Sequence, residues 1–162
     1  MFLFALFNAS MRRRWRSALL LAALAGAADL AQAASLESLD LERFKGKVVL
    51  LDFWASWCAP CKASFPWMQH LQERYADRDL VVIAVNVDHE RSLAERFLRE
   101  QRADFSIVYD PLGRIAERFD VKSMPASFYI DRAGKVRYAH AGFRNDDKAD
   151  AERELSGLIA EH

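Results

Sequence analysis

Two cysteines separated by two residues form the most chemically specific pattern in the chain. Cys58 and Cys61 lie in the segment Trp57-Cys58-Ala59-Pro60-Cys61 and are the only cysteines among 162 residues. Thiols at this spacing can close a disulfide or open to a dithiol, and the second thiol can resolve a mixed disulfide made by the first. A zinc or iron–sulfur site would need further Cys or His ligands, and the four histidines lie far apart. The pair therefore predicts thiol–disulfide exchange, with metal binding or two inert buried cysteines as alternatives.

The residues around the pair predict different roles for the two thiols. Cys58 follows an apolar run typical of a buried strand and precedes residues at helical spacing, so it should lie at a helix N-terminus. The unpaired N–H groups and the dipole at this end of a helix stabilise a thiolate. Cys61 should lie one turn further on, on the buried face of the helix, and stay a thiol. We expect Cys58 to attack and Cys61 to resolve, with Pro60 in the first helical turn, where its missing N–H would be unpaired anyway.

Apolar runs and helical spacing predict five strands and four helices. The runs KVVLLDFW and LVVIAVNV are typical of strands buried on both faces of a parallel sheet. Asp131-Arg132-Ala133-Gly134 predicts a hairpin turn between the last two strands. The predicted strands are 47–54, 80–87, 105–109, 126–130 and 135–141. The predicted fold class is α/β, with a central mixed β-sheet that is parallel first, antiparallel at one end and flanked by helices.

Asp52 is the least expected residue of the first predicted strand. It lies in the middle of the apolar run VVLLDFW. An ionised carboxylate is costly to bury there, so burial should raise the pKa of Asp52. The alternative is a carboxylate at the end of the strand that faces solvent.

Residues 1–33 have the three parts of a secretory signal peptide. A cluster of four arginines follows Met11, an apolar stretch spans residues 17–28, and Ala31-Gln32-Ala33 forms a cleavage site. The apolar stretch is shorter than the about 20 residues that a membrane span requires. We therefore predict a signal peptide over 1–33, with Met11 as a second candidate start, and a periplasmic domain over 34–162. The alternative is an uncleaved anchor in the inner membrane, with the domain facing the periplasm.

The charge pattern bears on possible partners. Residues 1–33 hold four of the 23 basic residues and one of the 23 acidic residues, so residues 34–162 have a net charge of −3. Their basic residues are interleaved with acids, which argues against a nucleic-acid surface. The length is sufficient for one domain with a hydrophobic core. We expect a monomer with no bound cofactor and no metal.

Two longer motifs resemble a known family. The stretches GKVVLLDFWASWCAPCKASFPWM and VKSMPASFYIDRAGKVRYAHAGF are similar to the exported TlpA/ResA branch of the thioredoxin superfamily. The resemblance covers about residues 35–162 and implies a thioredoxin-like fold. In thioredoxins, a buried acid six residues before the first cysteine exchanges a proton with the second cysteine. Asp52 matches this position, so the resemblance implies that Asp52 is the general acid/base for Cys61, acting through water.

The chain departs from the family around Asp52. Thioredoxins place a lysine near the acid on the next strand, and the matching position here is Ala84. ResA-like proteins carry a glutamate three residues after the second cysteine, and that position is Ser64. Asp52 is therefore expected to be the only buried acid and to have no cationic neighbour.

Met124 and Pro125 match the cis-proline site of the family. A cis peptide bond here would turn backbone groups outward beside the cysteine sulfurs, where a substrate peptide could pair with them as a short added strand. Met124 would line the substrate groove, and Trp57 would contact the substrate beside Cys58. The alternative is a trans proline at the start of an edge strand.

The resemblance also implies a function and partners. The TlpA/ResA branch mostly reduces selected exported protein disulfides, in cytochrome c maturation or copper-site assembly, with electrons from a membrane thiol reductase. The chain is thus expected to be a periplasmic protein-disulfide reductase whose substrates are exported proteins with cysteine pairs. The alternatives are a periplasmic disulfide oxidant or isomerase, and a copper-binding module that uses the same two cysteines.

Overall fold

The computed structural model describes residues 39–161, so the predicted signal peptide lies outside the described residues. Within this range the chain alternates strands and helices in the predicted order. The strands are β1 (Val48–Trp54), β2 (Leu80–Asn86), β3 (Ser106–Tyr109), β4 (Ala126–Ile130) and β5 (Val136–Ala141). The α-helices are α1 (Ala59–Tyr75), α2 (Arg91–Glu100), α3 (Arg114–Arg118) and α4 (Lys148–Ala160), with short 3₁₀ turns at Leu41–Phe44, Ala76–Arg78 and Asn145–Asp147.

The five strands form one mixed sheet in the order β3-β2-β1-β4-β5. The β1–β2 and β2–β3 pairs are parallel, whereas β1–β4 and β4–β5 are antiparallel. The predicted mixed sheet, parallel first and antiparallel at one end, is therefore confirmed. β1 lies at the centre, and all seven of its residues are buried, as its apolar run predicted.

Both faces of the sheet are covered. Alternate residues of β1 point to opposite faces, so Leu50 and Trp54 pack with α1, α2 and α4, whereas Leu51 and Phe53 pack towards Ile115 of α3. Asp52 shares the parity of Leu50 and Trp54. Its side chain therefore lies on the face that α1 and α4 cover, and this is the face on which Cys61 is buried.

Two turns show how polar side chains fix the ends of these elements. The Asp131 carboxylate accepts hydrogen bonds from the N–H groups of Ala133 and Lys135, which closes the predicted hairpin. The Asp110 carboxylate accepts the N–H groups of Ile115 and Ala116, although α3 begins only at Arg114. Asp110 therefore binds N–H groups in the first turn of α3, although it lies four residues before Arg114 and the N-cap is Gly113.

None of the helices described in residues 39–161 combines the length and the apolar character needed to cross a membrane.

Candidate active site

The two cysteines lie at the junction between β1 and α1. β1 ends at Trp54, a turn follows, and Cys58 is the N-cap of α1. The sulfurs of Cys58 and Cys61 are bonded to each other at 2.10 Å. The backbone N–H of Cys61 also donates to the sulfur of Cys58, at 3.3 Å. An N–H group of the first turn therefore meets the Cys58 sulfur, which is the arrangement expected to stabilise a thiolate.

The surroundings of the pair differ in exposure. Cys58 retains 4% of its surface and Cys61 none. Trp57, directly before Cys58, is 70% exposed, which is unusual for so large an apolar side chain. Pro60 is exposed in the first turn of α1, as predicted. Contact of Trp57 with a substrate stays a prediction.

In the reduced protein, an alkylating reagent such as iodoacetamide should label Cys58 at least about tenfold faster than Cys61 near neutral pH. Cys58 has the N–H donors and the small exposed area, whereas Cys61 is fully buried. Peptide mass spectrometry after timed quenching measures both rates. Equal rates would contradict a thiolate stabilised by the helix N-terminus.

Asp52 is buried, with 1% of its surface exposed. Its Oδ1 accepts a hydrogen bond of 2.5 Å from the Ser127 hydroxyl on β4, and its Oδ2 has no hydrogen-bond partner among residues 39–161. Burial raises the pKa of Asp52 from 3.8 to about 7, and the Ser127 hydrogen bond lowers it in part. The solvent-facing alternative for Asp52 is therefore wrong, and the carboxyl can take or give a proton near neutral pH.

The neighbours of Asp52 explain why its pKa is not held down. Ala84 is its partner on β2, at the position where a lysine would stand in thioredoxins. Ser127 is its partner on β4. Ser64 stands where ResA-like proteins carry a glutamate, so it supplies no carboxylate here. It is buried, and its hydroxyl donates to the carbonyl of Cys61.

The expectation that Asp52 is the only buried acid is wrong. Asp88 and Asp110 are 4% and 5% exposed. Asp88 accepts hydrogen bonds from the N–H and hydroxyl of Ser56 and from the amide of Asn86. The sequence analysis missed Asp88, although its place directly after a buried strand was a usable signal. Because Ser56 lies two residues before Cys58, Asp88 fixes the turn that carries Cys58.

The Met124–Pro125 peptide bond is cis, as the resemblance implied. The Pro125 carbonyl accepts the N–H of Gly142 at 2.7 Å, which ties the start of β4 to the end of β5. Within residues 39–161 the N–H and C=O of Met124 have no backbone partner. Met124 is half-buried against the same core as Cys58 and Cys61.

No group of three or more His, Cys, Asp and Glu side chains in the described part of the chain is placed to hold a metal ion.

A scan against protein-family models matches residues 23–155 to the Redoxin family. The chain belongs to the Redoxin family. The match spans the cysteine pair, Asp52 and the cis-proline site, so the resemblance to the thioredoxin superfamily is confirmed.

Curated members of this superfamily give a finer comparison. Thiol-disulfide oxidoreductase ResA of Bacillus subtilis is 33% identical over 98 residues, 60% of this chain and 55% of the relative. The Geobacillus kaustophilus ResA is 32% identical over 118 residues, 73% of this chain and 67% of the relative. The chain thus spans little more than half the length of most of these relatives, and is similar to their shared domain.

Solved structures confirm the thioredoxin-like fold. A Chlorobium tepidum protein assigned as thiol:disulfide interchange protein DsbE superposes with a TM-score of 0.74 at 43% identity, over 75% of this chain and 86% of that one. The exposed lipoprotein thioredoxin Etrx1 of Streptococcus pneumoniae superposes with a TM-score of 0.63 at 31% identity, over 73% and 90%.

Proposed function

We propose that this Redoxin-family protein is an exported thiol–disulfide oxidoreductase that reduces selected protein disulfides with the Cys58–Cys61 dithiol. The observation that carries the proposal is the position of the pair. Cys58 caps α1 and receives the N–H of Cys61, while Cys61 is fully buried behind it. A nucleophile at a helix N-terminus with a resolving thiol one turn away is what exchange requires.

The reaction follows from these positions. The Cys58 thiolate attacks one sulfur of the substrate disulfide, and the other substrate sulfur leaves as a thiolate. Cys61 then loses its proton to Asp52, through water, and attacks Cys58. The Cys58–Cys61 disulfide forms, and the second substrate sulfur leaves as a thiolate. The substrate gains two electrons and the protein loses two, which a membrane thiol reductase would restore.

The substrate would bind beside the pair as a short extended segment. The Pro125 carbonyl is already bonded to Gly142, so the free peptide groups of Met124 are those with which a substrate strand would pair. Trp57, directly before Cys58, offers an exposed indole. Main-chain pairing carries little selectivity, so the choice of substrate would depend on side chains such as Trp57 and Met124.

The proposed location and partners depend on the signal-peptide pattern and on the relatives. The signal-peptide pattern of residues 1–33 supports a periplasmic domain, and Etrx1 is described as an exposed lipoprotein. The ResA and DsbE relatives support thiol–disulfide exchange as the activity. The resemblance to the TlpA/ResA branch is what implies exported substrates with cysteine pairs, in cytochrome c maturation or copper-site assembly. We propose a monomer with no cofactor and no nucleic-acid partner.

A redox titration together with a turnover assay tests this function. The full chain should catalyse the reduction of insulin disulfides by dithiothreitol, and its own disulfide should have a midpoint nearer the about −270 mV of thioredoxin than the about −120 mV of the oxidant DsbA. A midpoint near that of DsbA would favour the oxidant alternative. Stoichiometric copper binding without turnover would favour the copper module and contradict an enzyme.

A further inference from the structure

Three polar side chains form a row across neighbouring strands. Asp52 on β1 is paired with Ser127 on β4, and Ser127 is paired with His140 on β5. Directly opposed residues of antiparallel strands point to the same face, with Cβ atoms about 5 Å apart. Asp52, Ser127 and His140 therefore lie side by side, from the centre of the sheet to its edge.

A cavity lies beside the outer part of this row. Its volume is about 220 Å³, and its lining includes Ser127, His140 and Trp67. Trp67 is 8% exposed, and its indole N–H has no hydrogen-bond partner in the part of the chain that the structure describes. A cavity of this size with several polar groups can hold ordered water, which would also satisfy an unpaired N–H. Ser127 lines this cavity, and its hydroxyl donates to the Asp52 carboxylate.

The outer end of the row meets solvent. His140 and Glu154 of α4 are joined by a bond of 2.7 Å between Nε2 and Oε2, and their side chains are 37% and 30% exposed. An imidazole has two ring nitrogens, so it can take a proton on one side and pass one on from the other. The row thus begins at a buried acid and ends at an accessible proton acceptor.

We propose that Ser127 and His140 form a proton route that connects Asp52 with solvent through this cavity. The inference rests on the proposed function, because the route is needed only if Asp52 takes a proton from Cys61. Once Asp52 is protonated, the hydrogen bond of this pair reverses, so that the carboxyl O–H donates to the Ser127 oxygen and the Ser127 hydroxyl turns to cavity water. The carboxyl then gives its proton to the Ser127 oxygen while Ser127 passes its own proton to that water. The proton then moves to the His140–Glu154 pair and to bulk solvent. One proton leaves Asp52, one reaches solvent, and no electrons move.

The other surroundings of Asp52 offer no comparable path. On β2 its neighbour is Ala84, and on α1 the Ser64 hydroxyl is bonded to the Cys61 carbonyl. Tyr129, two residues after Ser127, lies against His140, with ring centroids 5.0 Å apart. Burial is the main cause that raises the pKa of Tyr129, and the charges of Glu154 and Asp52 raise it further. Its phenol therefore stays protonated. The cavity is also lined by three charged residues, which are the remaining charged groups that face the route: Arg144, Asp147 and Lys148.

A single-turnover experiment isolates the step that needs this route. The reduced full chain is mixed with oxidised glutathione, and mass spectrometry after acid quenching follows the glutathione adduct at Cys58. Formation of the adduct reports attack by Cys58, and its decay reports resolution by Cys61. At pH 6, below the pKa of about 7, Asp52 must lose a proton before it can accept one from Cys61. At pH 8.5 it is already ionised.

The expected pattern depends on pH and on the residue changed. His140→Gln should slow the decay about fivefold at pH 6 and leave it unchanged at pH 8.5, with adduct formation unaffected at both. Added imidazole should restore the decay at pH 6, because a small proton carrier can replace the missing ring. Ser127→Ala should slow the decay at pH 6 at least as much, without imidazole rescue, and Ser127→Thr should retain the wild-type rate because it keeps the hydroxyl.

His70→Gln is the matched control, since His70 is exposed on α1 and lies outside the row. It should behave as wild type. Equal decay rates for wild type, His140→Gln and Ser127→Ala at pH 6 would overturn the proton route alone. Slowing by the same factor at both pH values would also overturn it, since that result indicates a structural role. A wild-type protein that forms no adduct at Cys58 would instead contradict the proposed function.

Discussion

Replacing Cys61 by serine should stop turnover and leave Cys58 joined to its substrates as stable mixed disulfides. The backbone N–H that donates to the Cys58 sulfur is retained in this variant, so attack by Cys58 should continue. The hydroxyl of serine cannot displace the substrate sulfur, so release fails. Insulin reduction should fall by about a thousandfold or more, comparable to the loss of a nucleophile in other covalent enzymes.

The adducts also test the direction and the substrate class. Mass spectrometry of the trapped complexes should show a few exported proteins, such as a heme-maturation or copper-assembly protein. A broad set of secreted proteins would instead support a general oxidant or isomerase. Cys58→Ser is the matched control, because it keeps Cys61 but removes the attacking thiol. Comparable adducts in Cys58→Ser would reverse the assigned roles of the two cysteines.

Asp52→Asn should lower exchange activity by about tenfold to a hundredfold and raise stability. In the proposed reaction the carboxyl accepts the Cys61 proton, and an amide cannot do so. The carboxyl is also costly to ionise, because it is buried and, among residues 39–161, has one hydrogen bond and no cationic partner. Insulin reduction and chemical denaturation of the oxidised protein measure the two effects.

The stability that Asp52→Asn gains over the wild type should increase as the pH rises. The folded-state pKa of Asp52 is about 7, against 3.8 for an exposed carboxyl. Below pH 3.8 the carboxyl is neutral in both states, so Asp52 costs nothing through ionisation. As the pH rises towards 7, the unfolded state gains from ionisation and the folded protein loses stability. The difference in unfolding free energy between Asp52→Asn and wild type should grow over this range, to at most about 4 kcal/mol.

Asp88→Asn is the matched control for this stability effect. Asp88 is as deeply buried but accepts three hydrogen bonds, so the amide should lower stability rather than raise it. An Asp52→Asn variant with full activity and unchanged stability would contradict both the proton role and the cost of burial.

The elements of the fold were largely predictable because they depend on local sequence. The apolar runs of β1 and β2 predicted buried strands, and β4 begins and ends at the predicted residues. The spacing of the two cysteines predicted thiol–disulfide exchange, because two intervening residues place both thiols within one helical turn. The burial of Asp52 was readable from its apolar neighbours in the same way.

The partners of Asp52 were not predictable, because they depend on the register between strands far apart in the chain. Ser127 lies 75 residues after Asp52, and a shift of one residue in β4 would turn its hydroxyl to the opposite face. The same holds for His140 on β5. The burial of Asp88 was missed for a different reason, since it depends on a loop that folds back to Ser56. Hydrogen bonds from that loop offset the cost of burial, and composition alone does not show them.

The antiparallel pairing of β1 with β4 has a consequence for the order in which the protein is completed. The cysteine pair, β1 and α1 are contiguous in sequence, so they can form early as local structure. Ser127 and the carbonyl of Pro125 join them only when the last third of the chain has been synthesised, and the Pro125 contact also needs Gly142. Contacts between such distant segments form slowly, because the loop between them must first close. A chain synthesised from its N-terminus therefore has both thiols well before Asp52 can bond to Ser127. The backbone at Met124 and Pro125, where a substrate strand would pair, is also completed later than the thiols.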